Sequence, residues 1–252
     1  MVSRFPPPTE KLQKVLARAG FGSRREMETW IQTGRVKVNQ QIATLGDRVC
    51  ATDSIKVNGR KLSSTVLFEQ ARQIICYHKP VGEICTRNDP EGRTTIFKRL
   101  PPLTNGRWIN VGRLDFNTSG LILLTNDGSL ANLLMHPSSG IEREYAVRVL
   151  GEVNNEMLQR LRDGIELEDG KACFTDIKVA GGKGANHWYN VTLTEGRKHE
   201  VHRLWESQGV RVSRLIRIRF GPIILPKSLR AGQNIKLDNS SQRKLLRAVG
   251  IK

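Results

Sequence analysis

The stretch Gly112-Arg113-Leu114-Asp115-Phe116-Asn117-Thr118-Ser119-Gly120 sets one carboxylate between two glycines and next but one to an arginine, then runs into Leu121-Ile122-Leu123-Leu124. Asp115 is the sole acid between Ile109 and Asn126. In a loop that faces a polyanion, such a group has the wrong sign for binding, and a carboxylate held there suits nucleophilic or electrostatic work on a bound substrate. Spacing alone favours a plainer role, an Asx-turn or a surface pair with Arg113.

A second group is Glu195-Gly196-Arg197-Lys198-His199-Glu200-Val201-His202-Arg203. Its spacing predicts a helix over 198–208, with Val201, Leu204 and Trp205 on a buried face, His199 and Arg203 four apart on another, and Gly209 as the stop. A third is Leu215-Ile216-Arg217-Ile218-Arg219-Phe220, whose strict alternation predicts a strand. There Ile216, Ile218 and Phe220 would face a core, while Leu215, Arg217 and Arg219 share the other side.

The elements that must position these groups divide near Ile74. Residues 1–9, with Pro6-Pro7-Pro8, suggest an extended, solvated lead. Leu12, Val15, Leu16 and Ala19 form an apolar helical stripe opposite Lys11, Lys14 and Arg18, and Gly20 is placed to stop the helix. Ser23 and Glu26 have capping-box spacing before a helix that buries Met27, Trp30 and Ile31. Short strands then follow at Val36–Val38 and Ile55–Val57, before the turn Asn58-Gly59. Beyond Ile74, strand-like runs at 74–77, 121–124, 145–150 and 189–193 outnumber two evident helices, 129–135 and 198–208. The class expected is therefore α+β: a small domain over 10–72 and a larger one over 74–252, with a mixed, mainly antiparallel sheet rather than a doubly wound parallel one.

The 252 residues include 41 Lys and Arg against 24 Asp and Glu, a formal net charge of +17, which attracts polyanions and puts nucleic acid first among partners. No apolar run reaches the ~18 residues of a spanning helix and no signal peptide opens the chain, so no membrane partner is expected. The four cysteines form no C-x-x-C pair, which argues against a zinc knuckle or a disulfide framework and fits a reducing cytoplasm. No metal and no small-molecule cofactor is expected. Gly181-Gly182-Lys183-Gly184 suits a hairpin loop, and its lack of a strand–loop–helix setting argues against a nucleotide-dependent methyltransferase.

Gly112-Arg113-Leu114-Asp115 followed by Thr118-Ser119-Gly120-Leu121-Ile122-Leu123-Leu124-Thr125-Asn126-Asp127-Gly128 closely resembles the signature of the small-subunit-type branch of RNA pseudouridine synthases. The resemblance extends through Tyr77-His78-Lys79-Pro80, Cys85-Thr86-Arg87-Asn88-Asp89-Pro90-Glu91-Gly92-Arg93 and Trp188 to Arg197, and runs from about Glu10 to Ile235. Its first part, 10–72, is similar to an S4 RNA-binding module of αL type.

That resemblance implies an enzyme turning a flipped uridine into pseudouridine with Asp115 as the essential carboxylate. Tyr145 and Leu215 would pack on the two faces of the uracil, and Arg113 would fill the space that the base vacates. The basic partner of Asp115 would come from the third element, where His202 stands in place of the usual Arg or Lys. A protonated His202, Arg203 or Arg197 would make that contact, or the arginines would hold phosphates. Lys79, Pro80 and Gly82 would shape the site without doing chemistry. Lys11, Lys14, Arg18, Arg24, Arg25, Arg35 and Lys37 would form the RNA-binding surface of the first domain, with Arg217 and Arg219 adding a basic strand face. The resemblance further implies large-subunit ribosomal RNA, free or in an assembly intermediate, as partner of a cytoplasmic monomer. A non-catalytic RNA-binding or ribosome-assembly factor on the same fold is the alternative that the His202 position leaves open.

Overall fold

The computed structural model describes residues 9–251, in two compact units. The extended lead expected over residues 1–9 lies outside the described residues, except for Thr9, whose backbone carbonyl accepts a hydrogen bond from Arg48 at 2.6 Å. One unit comprises the described residues up to Gln73 together with Pro101–Ile109 and Asn126–Gly128; the other comprises Ile74–Leu100, Asn110–Thr125 and the described residues from Ser129 on. The chain therefore does not divide at a single point, because two later segments return to the first unit.

In the first unit, helices Leu12–Arg18 and Arg24–Gln32 pack over a sheet in which Val36–Val38 and Ile55–Val57 are the central strands. Leu12, Val15, Leu16, Met27, Ile31, Val36 and Ile55 form its core. The capping box is present: Glu26 N–H donates to Ser23 Oγ at 3.0 Å and Ser23 N–H to Glu26 Oε2 at 3.2 Å. Trp30 is only partly buried, and the Arg35 guanidinium lies 4.0 Å over its ring. That stacking keeps the wide aromatic face from water at the rim of the core.

The larger unit is built on one sheet: β1 Ile74–Lys79, β2 Ile109–Val111, β3 Thr118–Thr125, β4 Arg143–Leu150, β5 Asp176–Lys183, β6 Asn186–Leu193, β7 Arg211–Phe220, β8 Ile223–Ile224 and β9 Asn234–Lys236. The main path runs β5-β6-β4-β7-β3-β1-β9. Only β7 and β3 pair in parallel along it; the other neighbours are antiparallel, as the α+β expectation requires. The apolar run of β3 is buried from Gly120 through Thr125, which identifies it as a central strand covered on both faces.

Two helices in this unit were omitted from the expected pattern. Asn155–Asp163 starts where Asn154 Oδ1 accepts from Met157 N–H at 2.9 Å, and Asn239–Arg247 where Asp238 Oδ1 accepts from Ser241 N–H at 2.7 Å. Both caps were readable in the sequence. Two other expectations need correction. The helix over 198–208 is shorter, Glu200–Glu206, because His199 has left-handed backbone (φ 51°, ψ 28°) and stands outside it. The strict alternation of 215–220 also breaks. Tyr145 faces Arg217 and Glu144 faces Arg219, which leaves Ile218 as an extra residue in a bulge. Leu215, Arg217 and Phe220 are the buried side chains of this segment, while Ile216 and Ile218 are only half buried.

Candidate active site

Asp115 sits in the turn that leads into β3, and the turn is held by main chain and neighbours rather than by the carboxylate. Its backbone carbonyl accepts from Thr118 N–H at 3.0 Å and from Lys79 Nζ at 3.0 Å. Lys79, fully buried at 0% exposure, also donates to the Thr118 carbonyl at 2.8 Å and that of Pro80 at 3.0 Å. Burial lowers the Lys79 pKa, and the carbonyl dipoles gathered around the ammonium offset its desolvation. On the other side, Leu114 N–H donates to Cys85 Sγ at 3.4 Å. The side chain of Asp115 is thereby left free for chemistry, 37% exposed at the mouth of a cavity of about 870 Å³.

Asp115, Tyr145 and Leu215 line this single cavity, although they lie on the β3 turn, β4 and β7. Register explains the meeting: Leu215 pairs with Thr118 on one side and Val147 on the other, and Arg217 with Gly120 and Tyr145. Tyr145 and Leu215 are both buried, so each offers an apolar face to whatever enters.

The far wall is the segment before helix Glu200–Glu206. Val201, Leu204 and Trp205 anchor that helix, with Trp205 fully buried and its ring 4.9 Å from Tyr189 and 6.0 Å from Phe174. Burying a large apolar side chain stabilises by roughly 1.5–3 kcal/mol. The anchor thus holds a seven-residue helix that would not persist alone.

The basic partner of Asp115 differs from the three residues expected. Arg203 makes a two-pronged contact with Asp169, at 2.8 and 2.9 Å. Arg197 is taken up by Glu195 at 2.6 Å and by the carbonyls of Gly170 and Lys171, both at 2.9 Å. His202 lines the cavity, but burial pushes its pKa below the ordinary imidazole value, against weaker pulls from Glu206 and Asp115, and its Nδ1 is buried without a hydrogen-bond partner among the described residues. A neutral imidazole is thereby favoured where a protonated one was expected. The side chain that Asp115 does meet is His199, whose Nε2 lies 3.5 Å from its carboxylate and whose backbone is left-handed. With the two side chains 51% and 37% exposed, a pair of this kind contributes only about 0.2–1 kcal/mol.

Burial of His202 has a measurable consequence. Above its ordinary value of 6.5, folded and unfolded chains both hold it neutral, and it contributes nothing to pH dependence. As pH falls through 6.5 the unfolded chain takes the proton first, so stability drops until the folded site is protonated too. His202→Gln should therefore lose less melting temperature than the parent between about pH 6.5 and 5. Glu200, whose pKa burial raises, acts in the opposite sense but is common to both proteins and cancels in the difference. Parallel melting curves across that range would contradict the assignment.

The remaining expected residues are dispersed. Arg113 is exposed at the cavity rim, and Arg219 is held by Glu144 at 2.7 Å and Glu142 at 2.9 Å. In the first unit Lys11, Arg24, Arg25, Arg35 and Lys37 are exposed, whereas Lys14 and Arg18 each pair with Glu10 at 2.8 Å. Arg18 also donates to the Leu67 carbonyl at 3.0 Å, so it serves the fold as well as the basic face. The cavity further includes Arg143, Glu200 and Phe220, which sequence reasoning gave no role; only the placement of Arg143 two residues before Tyr145 hinted at it. Among the described residues no three His, Cys, Asp or Glu gather as a metal site, and no helix is long and apolar enough to cross a membrane.

The chain is similar to known proteins in both of its parts. Residues 73–207 match the family model described as RNA pseudouridylate synthase, and residues 10–55 match the S4 domain. Ribosomal large subunit pseudouridine synthase B of Pseudomonas aeruginosa is 57% identical over 98% of this chain, and that of Salmonella typhi is 60% identical over 91%. The chain spans 64% of the length of the first and 80% of the second. A crystal structure of a pseudouridylate synthase superposes with a TM-score of 0.65 at 28% identity, covering 93% of this chain and 99% of the other. A family match across more than half of its residues, joined to relatives of such identity over most of its length, means that this chain belongs to the RNA pseudouridylate synthase family.

Proposed function

We propose that this protein isomerises a uridine of large-subunit ribosomal RNA to pseudouridine, with Asp115 as the acting carboxylate. The observation that carries the reading is the meeting of Asp115, Tyr145 and Leu215 around one cavity. An everted base forfeits a few kcal/mol of stacking, and a slot between an aromatic ring and an aliphatic side chain returns part of it. Within that slot the base is held with its ribose toward the carboxylate, which must be ionised either to attack or to stabilise developing charge. The N1 glycosidic bond breaks, the uracil turns, and C5 joins the same ribose carbon.

The division of labour follows the two units. Residues 10–72 act as the RNA-binding module through the exposed Lys11, Arg24, Arg25, Arg35 and Lys37, while residues 74–252 carry the reaction. Arg113 at the rim fills the gap left by the everted base, and Arg197, Arg203 and Arg219 serve the fold and the phosphates rather than the carboxylate. The partner is the ribosomal RNA, free or within an assembly intermediate, met by a monomer in the cytoplasm. A purely binding role on the same fold is disfavoured, because phosphate recognition has no use for a carboxylate at the mouth of an apolar slot.

The test is direct: large-subunit ribosomal RNA carrying tritium at uridine C5 is incubated with the protein, and release of label to water is counted. Release in step with new pseudouridine at a discrete position is the expected result. RNA binding without release would defeat the reading.

A further inference from the structure

The most buried charged group lining the cavity is not the aspartate. Arg217 on β7 is 2% exposed and lines the cavity beside Leu215, directly across the strand pair from Tyr145. Its Nε donates to the Leu121 carbonyl at 2.7 Å, which fixes the plane of the guanidinium. Its Nη2 is buried and has no hydrogen-bond partner among the described residues.

No carboxylate forms an ion pair with Arg217 among the described residues. The like-charged Arg143 approaches instead: the two guanidinium carbons each lie 5.3 Å from the Phe220 ring, and Arg143 is turned away to the carbonyls of Ile141 and Thr194. Leaving a desolvated cation without a counter-charge costs several kcal/mol, and an apolar residue of similar volume would remove that cost. A group kept in this state at the base of a reactive cavity is poised for charge that appears only when substrate is bound.

Resting on the function proposed above, we infer that Arg217 donates from Nη2 to a carbonyl oxygen of the everted uracil and stabilises the negative charge that the base acquires. When the C1′–N1 bond breaks, its electron pair passes to the uracil, where charge spreads over N1, O2 and O4. The same pair returns when C5 bonds to C1′; the C5 proton leaves to solvent and N1 takes one up, so the product is an isomer. A neutral base in the ground state asks little of the guanidinium, whereas a departing uracil anion asks much, and this difference lowers the barrier. Depth argues against a phosphate as the ligand, because the exposed cations at the rim are within easier reach of the backbone and the apolar faces of Tyr145 and Leu215 flank Arg217.

The experiment combines two protein variants with two altered RNAs. Arg217→Gln and Arg217→Lys are compared with the parent on the RNA modified in the release assay, and on the same RNA with 2-thiouridine or 4-thiouridine at the target. Sulfur is a weaker acceptor than oxygen, and any intrinsic change in leaving ability cancels in the double ratio of parent to variant and oxygen to sulfur. Arg217→Gln is expected to lower kcat about 100-fold with KM for RNA changed by no more than about threefold. One thio position should slow the parent about tenfold more than it slows Arg217→Lys, which retains the charge but not the donor geometry. Double ratios near one at both positions would overturn the assignment, as would Arg217→Gln turnover within about threefold of the parent. If the glutamine variant fails to fold, the lysine cycle decides alone. A parent protein that makes no pseudouridine would remove the underlying function as well, an outcome distinct from normal turnover with flat ratios.

Discussion

Asp115→Asn should abolish tritium release, by at least about 10³-fold in kcat, while leaving RNA affinity and melting temperature within experimental error of the parent. A factor of 10³ is about 4 kcal/mol of barrier, the scale expected when a carboxylate that attacks or bears charge is replaced by a neutral amide. The clean separation from stability follows from how the turn is built. Lys79 and Thr118 hold the backbone carbonyl of Asp115, not its side chain. The pair that the side chain does make, with His199, is half exposed and weak. Asparagine has nearly the same shape and a neutral amide in place of the charge. Release at more than about a tenth of the parental rate would show that the carboxylate is dispensable, and a large fall in melting temperature would show that the turn depends on it after all.

Gly120→Ala should do the opposite, damaging stability and activity together. Gly120 has φ +109°, and a Cβ built on it would lie 2.3 Å from the Arg217 carbonyl oxygen and 2.6 Å from the Arg217 nitrogen. Both are main-chain atoms of a paired strand, so no side-chain rotation relieves the contact. The parallel register between β3 and β7 would have to open at Gly120 and Arg217, the pair that sets Arg217 against Tyr145. Overpacking and a left-handed backbone conformation each cost about 1–3 kcal/mol. A displacement of roughly 1 Å at the site costs on the order of 100-fold in rate. The expected result is a variant several degrees less stable with kcat reduced by at least that factor, by thermal denaturation and the release assay. Parental stability would mean that the strands separate freely, which would also undercut the argument that β7 is rigidly placed.

These two residues show how unevenly the site was legible. Asp115 was singled out because it is an isolated acid among basic and glycine residues, and Gly120 because it brackets that acid. Such features are local: a charge of unexpected sign and a residue without Cβ are visible in a string of letters. The capping box at Ser23 and Glu26, the apolar run of β3 and the basic first unit were legible for the same reason, since propensity, periodicity and charge act over a few residues.

What the sequence did not contain was the outcome of pairing between distant strands. The bulge at Ile218 depends on how β7 meets β4, some seventy residues earlier in the chain. It brings Phe220 into the cavity lining with Leu215 and Arg217, where strict alternation had set it on the opposite face. The partner of Asp115 was equally out of reach, because Arg197 and Arg203 were claimed by Asp169, Glu195 and nearby carbonyls, and the ring of His199 meets the carboxylate instead. Amino-acid order by itself carried the family resemblance and singled out the candidate acid, since each rests on short-range pattern. Tertiary structure alone decided which cations face the cavity, because long side chains are assigned by competition among all the oxygens within their reach, and that competition is settled only when the sheet has closed.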